Sequence, residues 1–352
     1  MKKFDFTPLV QKVSWSQAKP YFKKSGDDEL AIAILIVGMA IICGLALLVR
    51  DVVVAWTVIG CGVSIGLFVM VVVIFRAYRK AKIEAFAAVN KLQFVSNKFN
   101  PRYNGMFFNV GHNRIVDEAL VIPDGSSWYE IGSYTYITGS GRQQQTHHCG
   151  YIRFKLSRNL PHMVLDNKKN NWLSISNLPQ VPDRDQTLRL EGNFNDHFTL
   201  YAPKQYEADA LYIFTPDVMA VCVDTAEAMD IEIIDDELYV YMNGKHNLSS
   251  QSVIETMTRV ADAVGARVEH QADYYMDASA VSREVNLVAQ PGKRLSSRMN
   301  WWYLMIVVGA AIAMVMPALI RDGTRDISTM YTAIPVVLLV VVVIVIQYRK
   351  DH

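Results

Sequence analysis

Two histidines and a cysteine stand side by side in the segment "THHCG" at 146–150. Zinc prefers such ligands and takes three or four of them in a tetrahedral array. On a β-strand successive side chains alternate between faces, so His147 and Cys149 share one face while His148 points to the other. The segment therefore offers two zinc ligands at most, and a zinc site at His147 and Cys149 needs a third ligand from elsewhere in the chain.

The residues around this segment indicate a simpler structure. "YEIGSYTYIT" and "HHCGYIRFKL" alternate as paired strands do, and the polar stretch "GSGRQQQ" separates them. We therefore predict a β-hairpin here and no cofactor. Exposed loops on a rigid sheet commonly carry binding, so we predict that the hairpin tip contacts a protein partner. The tip residues concerned are Arg142, Gln143, Gln144 and Gln145.

The sequence gives little support to an enzyme. A Cys–His nucleophile needs a base next to its thiol, whereas neighbours on a strand face apart. The chain contains no P-loop, no GxGxxG and no HExxH pattern. A non-catalytic protein is favoured, and a membrane-associated hydrolase with a metal or thiol site near Cys149 is the alternative.

Four apolar runs dominate the composition of the chain, which is 51% hydrophobic over 352 residues. They cover 30–49, 52–75, 301–320 and 331–347, and none contains a charged residue or a histidine. At 1.5 Å per helical residue, runs of this length can cross a hydrocarbon core of about 30 Å. We predict four transmembrane helices in two hairpins, together with a cytosolic α+β domain of mainly antiparallel sheet.

The basic residues beside these runs set the predicted orientation. Lysines and arginines gather in the N-terminal tail, after the second run, before the third and at the C-terminus. Because cytoplasmic flanks carry such an excess, both termini and the central domain are predicted to be cytoplasmic. The net charge of +1 gives no case for a nucleic-acid partner.

The predicted organisation has six parts. They are a basic tail at 1–29, a transmembrane hairpin at 30–75, the cytosolic domain at 76–269, a tether at 270–300, a second transmembrane hairpin at 301–347 and a cytosolic tail at 348–352.

The basic tail has the composition of an interfacial helix. Thr7 is a candidate N-cap, Pro8 stands at the first helical position, and Trp15 adds an aromatic side chain among lysines. Such a helix lies on an anionic membrane surface, so the lipid bilayer is a predicted partner. A disordered tail is the alternative.

Two further segments of the cytosolic domain carry specific predictions. "DIEIIDDELYVYMNG" is predicted as a hairpin that turns at Asp235–Asp236. "SSQSVIETMTRVADAVGA" has a helical apolar period, with Ser249 or Ser250 as its cap and Gly265 as its end.

Small residues within the apolar runs suggest helix packing. Gly62 and Gly66 form a GxxxG pair, and Gly309 and Ala313 form a related small-xxx-small pair. These pairs permit close contact within one chain or in a homo-oligomer. A channel-like oligomer is a weaker alternative, because the runs lack the ionisable residues that ion pathways use.

A family resemblance rests on the stretch "LRLEGNFNDHFTLYAPKQYEADALYIFTPDVMAVCVD". It is similar to a pattern in bacterial membrane proteins that carry a cytosolic domain of unknown function. The matching residues are Glu191, Phe194, Phe198, Ala208, Leu211, Thr215 and Pro216. The resemblance implies placement in the bacterial inner membrane and brings no known activity or catalytic residue.

Together these features predict a membrane-anchored scaffold, assembly or regulatory protein. Its cytosolic domain is expected to bind a protein partner or the membrane surface without catalysis.

Overall fold

The structure is a computed structural model that describes residues 3–24, 37–38, 44, 52–124, 127–171, 176–190, 192–277 and 287–296. Its helices are α1 (Thr7–Val10), α2 (Trp15–Lys24), α3 (Val52–Val89), α4 (Phe194–His197), α5 (Glu207–Ile213), α6 (Pro216–Thr225), α7 (Gln251–Val260), α8 (Ala266–Ala272) and α9 (Gln290–Lys293). Its strands are β1 (Gln93–Phe99), β2 (His112–Asp124), β3 (Ser127–Thr138), β4 (Gln145–Asn167), β5 (Thr187–Leu188), β6 (Phe198–Tyr201) and β7 (Met229–Asn243). Short 3₁₀ turns occupy Met106–Asn109, Gly141–Gln143 and Arg184–Gln186.

One antiparallel sheet of seven strands organises the described residues, in the order β1-β2-β3-β4-β6-β5 with β7 paired to β4. The 23-residue strand β4 is its centre. Its first half pairs with β3, its last residues pair with β6, and β7 follows its other edge. The predicted hairpin is confirmed, since Thr138 pairs with Gln145 and Tyr134 with Cys149.

The apolar core lies on one face of this sheet. Aliphatic and aromatic residues of β3, β4 and β7 pack there against α6, α7 and α8 and against the last turns of α3. Phe86 and Ile83 of α3 are fully buried in this core. Helix α3 thus begins among exposed residues and ends beneath the sheet.

Tyrosines line the other face of the sheet, which we call the tyrosine face. Segment 100–110 covers it, and Phe108 lies among its rings, with centroids 4.5 Å from Tyr134 and 5.1 Å from Tyr151. Buried carboxylates accept hydrogen bonds from these hydroxyls. Tyr103 donates to Glu130 at 2.8 Å, and Tyr241 donates to Glu232 at 2.6 Å.

The segment 287–296, predicted as part of a tether, contacts the same domain. The backbone N–H of Leu295 donates to His162 Nδ1 at 3.0 Å, while His162 Nε2 lies 3.0 Å from Glu232 Oε1. Arg294 forms an ion pair with Asp235 at 2.9 Å. These contacts hold the segment on the sheet up to residue 296.

The predicted fold class, four transmembrane helices in two hairpins, is wrong for the described residues. They contain one helix that is long and apolar enough to cross a membrane, Trp56–Val89, and their main element is the antiparallel sheet. The run at 30–49, apart from residues 37, 38 and 44, lies outside the described residues, as do the runs at 301–320 and 331–347. Hydropathy selected the four runs by length and composition alone, and those two properties do not establish a separate spanning helix.

Two local predictions are also wrong. "DIEIIDDELYVYMNG" forms the single strand β7, because both of its halves stay paired with β4. The register shifts between Lys155 and Met163 place the extra residues of the bulge in β4, and Asp235 of β7 adopts a positive φ of 53° opposite Leu160. The helix predicted to end at Gly265 continues through a π-helical turn at Ala261–Gly265 into α8.

Candidate membrane-surface groove

Helix α3 presents an apolar surface that the rest of the described chain leaves uncovered. Its most apolar window has a mean hydropathy of 2.8, and only 17% of that window is buried. Phe75, at the end of the uncharged stretch, is 70% exposed. The helix continues directly into the basic residues Arg76, Arg79, Lys80 and Lys82. The change from apolar to basic therefore occurs within two helical turns.

The N-terminal segment packs against these last turns of α3. Phe6 stacks on Phe86 with centroids 5.4 Å apart. The backbone N–H of Asp5 donates to Asn90 Oδ1 at 2.8 Å, and Asn90 Nδ2 donates back to the carbonyl of Asp5 at 3.0 Å. Leu9 and Ala18 are buried. Apolar contacts and paired hydrogen bonds thus fix α1 and α2 beside α3, at the point where it becomes basic.

A groove of about 660 Å³ opens between this segment and the helix. Its lining combines apolar and basic side chains from three parts of the chain: Lys12, Val13, Ile74, Phe75, Tyr78, Arg79, Lys82 and Ser249. Ile74 and Phe75 belong to the apolar end of the lining, while Arg79 and Lys82 lie one to two turns further along α3. A molecule with an acyl part and an anionic part matches this order.

The basic side chains of the groove differ in the hydrogen bonds that they already form. Arg79 donates through Nε and Nη2 to Glu118 Oε1 at 3.0 and 2.6 Å. Lys82 Nζ donates to the carbonyl of Leu9 at 3.1 Å and is only partly buried. Lys12 is exposed. Lys12 and the remaining donors of Arg79 and Lys82 can therefore bind a phosphate or carboxylate, since both cations offer several N–H donors.

Trp15 stands beside the groove at the start of α2. Its ring centroid lies 6.1 Å from that of Tyr78. Trp and Tyr collect at the headgroup level of membranes because each combines an apolar ring with a polar N–H or O–H. In place of one interfacial helix, the structure has α1 and α2 joined at 11–14, with Pro20 inside α2.

The two proposed zinc ligands lie on one face of β4 as their alternation predicts. His147 stacks on Tyr136 at 4.9 Å, and its Nε2 lies 2.7 Å from Thr138 Oγ1. Cys149 is buried in the tyrosine face. Among the described residues no group of three or more His, Cys, Asp or Glu side chains is placed to hold a metal ion. No third ligand therefore joins His147 and Cys149 in this part of the chain.

The environment of Cys149 also disfavours a thiol nucleophile. Burial raises the pKa of this thiol to about 12. Its Sγ donates to the carbonyl of Gly150 at 3.1 Å. A thiol in this state stays protonated at neutral pH, whereas nucleophilic attack requires the thiolate.

The remaining predicted contact residues fall in separate places. Arg142, Gln143, Gln144 and Gln145 are exposed at the tip of the β3–β4 hairpin. Gly62 and Gly66 are buried on α3, whereas the residues between them are exposed. Gly309 and Ala313 lie outside the described residues.

Sequence reasoning did not assign Lys12, Arg79, Lys82 or Ser249 to one site. The cluster of Lys and Arg after the second apolar run was visible, and it indicated orientation only. The groove depends on the packing of 4–24 against α3, and neither segment shows in its own sequence which face the other covers.

Comparisons with known proteins give one structural likeness. No protein-family model matches the chain, and no curated protein matches it. The crystal structure of the mycobacterial trehalose monomycolate transport factor A is similar with a TM-score of 0.37 and 10% identity, over 54% of this chain and 94% of that one.

Proposed function

We propose that this protein is a membrane-anchored, non-catalytic scaffold or regulatory factor whose groove binds anionic phospholipid headgroups. Helix α3 serves as the anchor, and the sheet domain lies at the cytosolic surface of the bilayer. The lipid is held with its phosphate at Lys12, Arg79 and Lys82 and its acyl chains along Ile74 and Phe75. In this position the domain is available to a protein partner.

The observation that carries the proposal is the order of the groove lining along α3. About 10 Å separates Phe75 from Lys82 along a helix. The headgroup layer on one side of a bilayer is about 6 Å thick. If the hydrocarbon boundary lies at Phe75, then Tyr78 and Arg79 stand at headgroup depth. A Lys or Arg near an anionic membrane surface contributes about 1 kcal/mol of binding free energy.

The exposed hairpin tip supports the partner-binding part of the proposal. Arg142–Gln145 project from the sheet at the end of two long paired strands, which hold the tip in a fixed place. A polar loop on a rigid support is a common binding surface. The tip is therefore the second surface that we assign to this function.

The experiment compares lipid binding by the full chain and by Lys12→Gln. Protein reconstituted in nanodiscs of phosphatidylcholine with increasing phosphatidylglycerol is released into detergent, and retained lipid is counted by native mass spectrometry. We expect preferential retention of phosphatidylglycerol, reduced about fivefold by Lys12→Gln, which is the factor for about 1 kcal/mol.

The matched control is Lys19→Gln, which removes the same charge from an exposed lysine of α2 that does not line the groove. It should retain phosphatidylglycerol as the original chain does. Equal losses in both variants would mean that only the net charge of the tail matters, and a groove site would then be excluded.

A further inference from the structure

Two aspartates lie side by side at one end of the sheet, far in sequence from the groove. Asp166 of β4 and Asp230 of β7 are the chain neighbours of Leu165 and Ile231, which are cross-strand partners. Asp166 is 2% exposed and Asp230 is 1% exposed. Ionised carboxylates at such burial are strongly destabilised unless a cation or hydrogen bonds compensate them.

Neither carboxylate has an ion-pair partner among the described residues. Burial raises the pKa of Asp166 and outweighs the opposite effects of hydrogen bonds from Ser176 and Asn171 and of the charge of Lys168. Lys168 Nζ donates to the carbonyl of Asn195. Burial, together with the charge of Asp166, raises the pKa of Asp230 to about 6. Burial thus disfavours the ionised form of both carboxylates.

Asparagines surround Asp230 with hydrogen-bond donors. The backbone N–H of Asn167 donates to Oδ1 at 2.9 Å. The amide nitrogens of Asn170 and Asn177 donate to Oδ2 at 2.9 and 3.0 Å. Both amide nitrogens thus point to Asp230, and the hydrogen bond of each fixes the orientation of its amide.

Oxygen atoms without a partner concentrate at this place. Within the described part of the chain five buried side-chain atoms lack a hydrogen-bond partner, and three of them are Asp166 Oδ1, Asn170 Oδ1 and Asn177 Oδ1. All three are acceptors, whereas the other two are hydroxyls of Ser133 and Tyr134. Rotating either amide would withdraw a donor from Asp230. A cation accepts lone pairs from oxygen and would therefore satisfy these three atoms.

We propose that Asp166, Asp230, Asn170 and Asn177 bind a hard divalent cation, Ca²⁺ or Mg²⁺. Both ions prefer carboxylate and amide oxygens, and bound water completes their coordination. The cation neutralises the two buried charges and takes up the three oxygen atoms that have no donor. It joins the end of β4, the start of β7 and the loop that follows β4.

The two ions are distinguished by their coordination. Ca²⁺ takes six to eight oxygen ligands in flexible geometry, and Mg²⁺ requires a near-ideal octahedron and keeps several waters. Two carboxylates and two neutral amides on three segments suit either ion, so the test includes both.

The experiment uses the full chain in detergent after removal of metal with EDTA. Terbium(III) serves as the probe, because its emission is sensitised by nearby tyrosines. Tyr201 is such a tyrosine: burial and, after it, the charge of the neighbouring Asp166 raise its pKa. We expect saturable emission at one equivalent, displaced by Ca²⁺ or by Mg²⁺, and a rise in Tm of about 5 °C with the ion that binds. Displacement by one ion alone identifies it.

Three variants and one control complete the test. Asp166→Asn and Asp230→Asn should abolish both the emission and the Tm shift. Asn177→Ala keeps both carboxylates and should weaken binding about tenfold or more. Glu227→Gln removes an exposed carboxylate three residues from Asp230 and should bind as the original chain does. Circular dichroism verifies that each variant is folded. Absence of saturable terbium emission in the original chain, or an unchanged Tm shift in folded Asp230→Asn, would overturn the proposal.

Discussion

At the scale of single residues, Gly265 shows how packing decides the role of a glycine. A Cβ at this position would lie 2.7 Å from Phe154 Cδ2, so the helix can pass the sheet only without a side chain there. A glycine after an apolar helical period also indicates a helix end. The two roles look the same in sequence, and only the position of Phe154 distinguishes them.

We predict that Gly265→Ala destabilises the protein by about 1–3 kcal/mol, because Phe154 or the π-helical turn must shift. Chemical denaturation measures the change. Gly60→Ala is the control, since nothing lies within 4 Å of the Cβ it would add. A smaller side chain in Phe154→Leu should recover part of the loss in the double variant. Additive effects of the two substitutions would show that this contact does not set the cost.

The segment "THHCG" shows how far alternation can be followed at this scale. It correctly placed His147 and Cys149 on one face and predicted the strand that contains them. It could not reveal that this face carries Tyr134 and Tyr136, because those residues reach Cys149 and His147 only through the β3–β4 pairing.

At the scale of elements, one ion pair joins α3 to the sheet in addition to the apolar contacts of Ile83 and Phe86. Arg79 of α3 lies 2.6 Å from Glu118 of β2, and Glu118 is 2% exposed while the arginine side chain is 28% exposed. The buried carboxylate of Glu118 is thus shielded from water and depends on Arg79, whereas the guanidinium of Arg79 also contacts solvent.

This asymmetry predicts unequal effects of the two substitutions. Arg79→Met leaves a buried charge unpaired and should cost about 3–5 kcal/mol of unfolding free energy. Glu118→Gln removes the buried charge and should cost about 1 kcal/mol. Urea denaturation in detergent compares them. A larger loss for Glu118→Gln would contradict the assignment of Glu118 as the group that depends on the pair.

Strand β7 explains a failure of prediction at the element scale. Its central acidic residues were predicted to form a turn, because the sequence does not show the cations that lie opposite them in the fold. In the fold Asp236 pairs with Lys155 and Glu237 with Arg153, both on β4. The start of helix α6 at Pro216, by contrast, depends on local signals that a sequence does show: a proline at the first position and a short apolar period.

At the scale of the whole molecule, the stability of the domain should depend on the protonation of Asp230. Its pKa rises from 3.8 to about 6 on folding, so the folded state holds the proton more tightly than the unfolded state. Stability from this group is therefore full below about pH 4 and is lost as the pH rises through 6.

We predict that, in EDTA, the original chain loses about 2 kcal/mol relative to Asp230→Asn between pH 4 and pH 7. The difference between the two pH profiles isolates this group from the other carboxylates. Denaturation at several pH values measures it. A constant difference across this range would show that Asp230 keeps its ordinary pKa in the folded protein.

Both candidate sites also show what sequence alone can predict for the whole molecule. Each joins residues from separate elements: Lys12 with Arg79 and Lys82, and Asp166 with Asp230. The basic end of the anchor and the polar loop after β4 are visible in the sequence. Their convergence depends on which helix and strand faces pack together, and periodicity does not determine that.

The unbroken course of α3 has a mechanical consequence. This helix has 38 residues and is about 57 Å long, and its two ends meet different surroundings. It therefore connects its apolar half rigidly to the sheet. Inserting one residue near Arg76 would rotate the sheet by about 100° about the helix axis and shift it by about 1.5 Å along that axis. Seven inserted residues would restore nearly the original orientation. In the proposed membrane-anchored arrangement, the number of residues in α3 thus sets the direction in which the hairpin tip faces along the membrane.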